Sequence, residues 1–174
     1  EDIYGIEYLI YAFEKLSKTY PQRKLKLLLV GGGSKKNTYE TLAKQLNILE
    51  YVYFAGEISY DEIEKYHNEL DIAVYYSIYE SFGVSALESS ACRKPVIVSD
   101  VGGLPEVVEH NRTGVVVESN NLSKLVEALE LLLNDEDLRD SLGKNGREKV
   151  LKDYSWNDSV LQMLSVYNSL AETK

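Results

Sequence analysis

Apolar residues recur along this chain with two periods, and the two alternate. Ile6, Leu9, Ile10, Phe13 and Leu16 lie at helical spacing and predict a helix of about four turns, stopped at Tyr20-Pro21. Leu25–Val30 (LKLLLV) is a near-continuous apolar run, the pattern of a strand covered on both faces. Gly31-Gly32-Gly33 ends it, and a helix is predicted around 37–47. The same alternation continues with strands at 51–55, 71–76, 95–99 and 114–118. The intervening helices fall at about 59–68, 82–92 and 104–109, and Ser59 to Glu62 reads as a capping box. From about Asn121 the chain is helical, broken near Asn134-Asp135 and again near Asp153-Tyr154-Ser155.

This order predicts an α/β fold, a Rossmann-like parallel sheet with right-handed crossovers and helices on both faces. Ligands of such sheets bind beyond the carboxyl ends of the strands. Functional residues are therefore expected in GGGSK, AGEIS, YSIYESFG, SDVGGLPE and after Val117. A doubly wound sheet normally opens on a strand, whereas this chain opens on a helix. In the common strand order the absent first strand would be central, so the expectation is a fragment: residues 1–174 form a single domain whose first strand lies upstream.

Composition narrows the choice. The 174 residues suit one domain with a full core, and no apolar run is long enough to span a bilayer. A formal charge of −9, with 14 tyrosines dispersed away from the basic residues, argues against a nucleic-acid partner. The single cysteine, Cys92, fits a reducing compartment, and the expected location is cytoplasmic. His67 and His110 read as surface or capping residues, and no metal-ligand spacing is present.

The segment from Tyr75 to Glu106 carries the chemistry. A strand ends, a turn containing Glu80 follows, and Ser81-Phe82-Gly83 opens a helix whose unpaired backbone N–H groups suit a phosphate. Gly83 allows close approach of a ligand. Glu80 and Glu88 are separated by up to roughly 12 Å of helical rise, further than the ~5–9.5 Å of a hydrolytic carboxylate pair. That spacing suits the two hydroxyl-rich ends of a sugar nucleotide; the competing reading makes Glu80 a cap and Glu88 a solvated helix residue.

ESFGVSALE (80–88), continued by KPVIVSDVGGLPEVVEHNRTGVVVE and preceded by LLLVGGG and VYFAGEIS, resembles the donor-binding C-terminal domain of retaining GT-B glycosyltransferases of group 1 (GT4) over nearly the whole chain. The resemblance implies transfer of a sugar from a nucleotide diphosphate sugar to an acceptor hydroxyl, with retention and without a metal or other cofactor. It implies Glu80 beside the transferred sugar, and Ser81, Phe82, Gly83 and Val84 in the turn that contacts sugar and diphosphate. Glu88 would hold the ribose hydroxyls, Ile58 would line the base, and Gly32 would turn the chain near the donor. The acceptor-binding N-terminal domain would be missing here, leaving this piece inactive or nearly so. Any peripheral membrane association would belong to the full-length protein only.

Two departures stand out. Tyr4 occupies the usual lysine position before Gly5, and Arg93 stands where a glycine is usual. The alternatives are a non-catalytic sugar-nucleotide-binding or scaffold domain of the same fold, and an NAD(P)-dependent oxidoreductase. The latter needs G-x-G-x-x-G, which fails from Gly31 at Lys36.

Overall fold

A computed structural model describes residues 3–172 of the chain. Its five strands lie where the apolar runs placed them, each parallel to its neighbour. β3 (Ala73–Tyr75), β4 (Val96–Ser99) and β5 (Gly114–Val117) form one sheet in that order, with Ala73 opposite Val96 and Val96 opposite Gly114. β1 (Leu27–Val30) pairs with β2 (Val52–Gly56), the register slipping between Leu29 and Val30.

Alternation along β4 separates two cores. Ile97 points to one face, where α1 (Ile6–Thr19) buries Leu9, Ile10, Ala12, Phe13 and Leu16. There α1 lies on α6 (Leu122–Asn134), which contributes Leu125, Ala128, Leu129 and Leu132. Val96 and Val98 point to the other face, against Ala86 of α4 (Val84–Ala91) and Leu104 and Val107 of α5 (Leu104–Val107). Helices therefore cover both faces of the β3–β5 sheet, as the α/β pattern predicts.

The expected single sheet is interrupted. Among the described residues β1 pairs only with β2, and β3 only with β4. A cavity of about 1150 Å³ runs against both β1 and β3, with Leu28, Leu29, Ile72 and Val74 in its wall. The consequence is visible in burial: β4, paired on both edges, is buried throughout, whereas β1 and β3 are half-open despite equally apolar sequences.

Smaller corrections concern the helices. The segment after Ser59 begins as a 3-10 turn (Tyr60–Glu62) and becomes α3 only at Ile63–Glu69. Ser59 Oγ donates to the Glu62 carboxylate at 3.0 Å instead of capping a backbone N–H. α2 (Lys36–Gln45) and a 3-10 turn at Leu49–Tyr51 link β1 to β2. The break at Asn134-Asp135 is a cap: the Asp135 carboxylate accepts from Leu138 N at 2.8 Å and opens α7 (Glu136–Asp153). The last helix, α8 (Trp156–Glu172), is not core. Trp156, Leu161, Leu164 and Val166 are all exposed, Trp156 by 80%, so its apolar residues find no cover among the described residues.

Candidate functional site

The loops leaving the carboxyl ends of the strands converge in pairs. After β1 and β2, Gly31 N donates to Gly56 O at 2.9 Å, and Gly32 lies against the Glu57 side chain. After β3 and β4, Ser99 Oγ donates to Ser77 O at 2.5 Å, and the Gly102-Gly103 pair supports the Glu80–Phe82 turn. A Cβ on Gly103 would stand 2.8 Å from both Phe82 Cα and Ser81 O. The Asp100 carboxylate, a candidate for ligand contact, instead accepts from Ser119 N at 2.8 Å and ties the β4 and β5 loops together.

The turn itself is internally bonded. Glu80 Oε1 accepts from Ser81 N at 3.0 Å and from Phe82 N at 3.4 Å, so part of the capping reading holds and one carboxylate oxygen is engaged within the turn. Gly83, at φ 102°, is the left-handed residue that starts α4, and its Cα side faces Leu104. The sequence-predicted residues Glu80, Ser81, Phe82, Gly83 and Val84 all line the cavity, and Gly32 lines it from the β1 side. Ile58 and Glu88 lie outside that lining. Glu88 approaches it through His67, a lining residue whose Nε2 is 3.6 Å from Glu88 Oε2.

Several placements differ from expectation. His67 is buried, not a surface cap: its Nδ1 is 2.9 Å from Ser89 Oγ, which is 2.7 Å from the Tyr75 hydroxyl. Burial pushes the Tyr75 phenol up to about 12. His110 is on the surface as expected, but it caps no helix: its Nδ1 accepts from Val116 N of β5 at 3.0 Å. Cys92 is only half-buried at the end of α4, with burial, and then the Glu64 charge, raising its thiol. Arg93 pairs with Asp140 of α7 at 3.6 Å, on the surface.

Lys35 and Lys36, at the start of α2, line the same cavity as Gly83 and are cations the sequence reading did not weigh. Their signal was the GGGSKK string itself, in which the glycines turn the chain and put the lysines at a strand's carboxyl end. Tyr4 also lines the cavity, 59% exposed. Among the described residues no group of three or more His, Cys, Asp or Glu is placed to hold a metal, and no helix is long and apolar enough to cross a membrane.

Comparison with known proteins gives the geometry its context. The chain is 33% identical over 168 residues to an uncharacterised glycosyltransferase of Methanocaldococcus jannaschii, matching 97% of this chain and 42% of that protein. Its fold superposes on the sucrose-phosphate synthase of Thermosynechococcus elongatus with a TM-score of 0.90 and 34% identity, covering 100% of this chain and 44% of that one. HepE of Anabaena, solved in complex with UDP, shares the fold at a TM-score of 0.85 and 22% identity, over 97% of this chain and 46% of HepE. The chain thus spans less than half the length of each. The dinucleotide-oxidoreductase alternative finds no support among these relatives. The family model described as glycosyl transferases group 1 matches residues 2–149, and the chain belongs to that family.

Proposed function

We propose that this chain is the donor-binding domain of a glycosyltransferase that moves a sugar from a nucleotide diphosphate sugar to an acceptor hydroxyl with retention. The observation that carries the reading is the convergence of the Glu80–Val84 turn, the α4 N-terminus and the Gly32 loop on the part of one cavity that lies beyond the carboxyl ends of β1 and β3. The first-turn amides of α4 offer partial positive charge to a diphosphate. Lys35 and Lys36 line the same cavity and add positive charge where the overall −9 would otherwise repel an anion, although Lys36 is shared with the Glu40 carboxylate at 3.7 Å.

In this reading Glu80 stands beside the transferred sugar, one oxygen fixed by the Ser81 and Phe82 amides and the other directed to the ligand. Phe82 and Val84 shape the turn against sugar and diphosphate, Glu88 accepts from the ribose hydroxyls and Ile58 borders the base. Catalysis comes from positioning and from stabilising the departing diphosphate, whose oxygen helps deprotonate the acceptor, so no protein nucleophile is required. The acceptor is held by a second domain, and the greater length of the relatives supports this. Alone, the chain binds donor with little or no turnover.

The test is calorimetric titration of UDP, GDP and ADP into the chain without metal, beside Glu88→Ala. Binding of one nucleotide, weakened at least tenfold by Glu88→Ala, is the expected result and names the donor class. Binding unchanged by that substitution would remove Glu88 from the site, and no binding of any nucleotide at millimolar concentration would count against a donor site complete in this chain.

A further inference from the structure

Behind Glu88 lies a buried polar relay that the donor site does not itself require. His67 sits in the last turn of α3, 5% exposed, between Ser89 of α4 and the Glu88 carboxylate. Its Nε2 is buried with no hydrogen-bond partner among the described residues. Buried donors and acceptors are rarely left unmade, so an orphaned one in a ligand-binding region calls for a reason.

The proton order of the relay follows from counting hydrogens. Tyr75 keeps its phenol proton because burial disfavours the phenolate, and Ser89 Oγ, at 2.7 Å, is the acceptor available to it. Ser89 has one proton, which then goes to His67 Nδ1 at 2.9 Å. Nδ1 is therefore bare, and the neutral ring carries its proton on Nε2. The other end gives the same answer. Reversing the chain would set a bare Nε2 lone pair against a carboxylate at 3.6 Å and leave the Tyr75 proton without an acceptor among the described residues.

We propose that His67 is a positioning residue for Glu88: the Tyr75–Ser89 relay holds a single Nε2–H aimed at the Glu88 carboxylate. At 3.6 Å the contact is too long for a hydrogen bond. A shift of roughly 0.8 Å would bring it to the ~2.7–2.9 Å of a charge-assisted bond. Glu88, with its side chain 27% exposed, has the room for such a shift when its outer oxygen takes up ligand hydroxyls. The ligand-linked part rests on the proposal that Glu88 accepts from a nucleotide ribose; the tautomer and its aim do not.

Two readouts test this on the full chain. Long-range ¹H–¹⁵N spectra of the imidazole are expected to show His67 as the Nε2–H tautomer, its Nε2 resonance moving in Glu88→Ala and its tautomer losing definition in Ser89→Ala. With UDP as probe, His67→Phe is expected to weaken binding about tenfold. His67→Gln, whose amide can donate toward Glu88, should stay within about threefold of the parent. An Nδ1–H tautomer, or an Nε2 resonance indifferent to Glu88→Ala, overturns the proposal, as does a UDP-binding His67→Phe within twofold of the parent. If the parent chain binds no UDP, or His67→Phe does not fold, the ring spectra decide alone. Absent UDP binding counts against UDP as the donor nucleotide without touching His67.

Discussion

Replacing Gly102 with alanine would drive a methyl group into the turn that presents Glu80. The added Cβ would overlap the Glu80 carbonyl oxygen and lie 2.8 Å from its carbonyl carbon, with Glu80 Cα at 3.6 Å. These are backbone atoms, so no side-chain rotation relieves the overlap. Carbon pairs rest at about 3.5–4.0 Å, which requires the turn to retreat by at least ~1 Å, and the overlap with the carbonyl oxygen asks for more. Gly102 also has φ 53°, a left-handed conformation costing an alanine roughly 1–2 kcal/mol. Overpacking adds about 1–3 kcal/mol. The sum is about 2–5 kcal/mol, and a chain of this size loses about 2–4 °C per kcal/mol. Thermal unfolding followed by circular dichroism should therefore show Tm lower by at least ~4 °C. Backbone amide shifts are expected to concentrate at Glu80–Phe82. Gly102→Asn separates the two costs, because asparagine tolerates the left-handed region but carries the same Cβ. It should lose only the overpacking share, about 1–3 kcal/mol. If Gly102→Asn unfolds within 1 °C of the parent, or Gly102→Ala leaves the turn's amide shifts unmoved, the contact with Glu80 is not what holds the turn. In a complete enzyme of the proposed kind, a ~1 Å displacement of Glu80 should lower turnover about 10²-fold.

Tyr75 gives a pH test. Its folded pKa, about 12, stands above the ordinary 10.0, so its contribution is intact below pH 10 and is lost as pH rises from about 10 to 12. Two units correspond to on the order of 3 kcal/mol, and urea unfolding across that window should show Tyr75→Phe losing less stability than the parent. Trp156–Glu172 contributes exposed apolar surface and little packing, so ending the chain at Ser155 should leave Tm within about 2 °C; a fall of more than 5 °C would show that α8 belongs to this fold. The cleft between β1 and β3 should accept a strand. Joining a five-residue Val/Ile segment ahead of Glu1 is expected to raise Tm by at least ~5 °C and protect the Leu28 and Val74 amides from exchange. A proline in the middle of the same segment should abolish both effects, and equal behaviour of the two extensions would refute the pairing.

The fold was largely legible because each strand is a short apolar run bounded by glycine, proline or a polar turn. Leu27–Val30, Val96–Ser99 and Gly114–Val117 fall within one or two residues of the runs that predicted them. Helix α1 shows the same: of the five residues chosen by period, Leu9, Ile10, Phe13 and Leu16 are buried, together with Ala12, while Ile6 is half-buried. Site residues were legible where a turn must present them, as with Glu80–Val84. What escaped was contact between distant segments. His67 looked like a surface residue because its own helix is polar; its burial comes from Ser89 and Tyr75, 22 and 8 positions away, and no local period encodes that. The Ser59–Glu62 capping box did not form as read: the Ser59 hydroxyl donates to the Glu62 carboxylate, and the Glu62 backbone N–H goes to the Ser59 carbonyl oxygen.

The half-open strands join these observations. An all-apolar strand in a parallel sheet is written for cover on both faces and pairing on both edges. β4 has all four, and Val96, Ile97 and Val98 are each fully buried. β1 is as apolar, yet Val30 is 40% exposed, and Leu28 and Leu29 are only half-buried beside the cleft. Ile78 N and Tyr79 N donate to Ile3 O at 2.7 and 3.3 Å, so the backbone entering α1 stands beside the carboxyl end of β3. A strand leading into Ile3 would run parallel to β3 and lie in the cleft, and α1 would carry the chain on to β1 in an ordinary crossover. Such a strand would also end in the part of the cavity lined by the Glu80–Val84 turn and the Gly32 loop. The cavity that the described residues leave as one space would then divide into a filled sheet and a ligand cleft at its carboxyl edge, the part lined by the Glu80 turn and by Lys35 and Lys36.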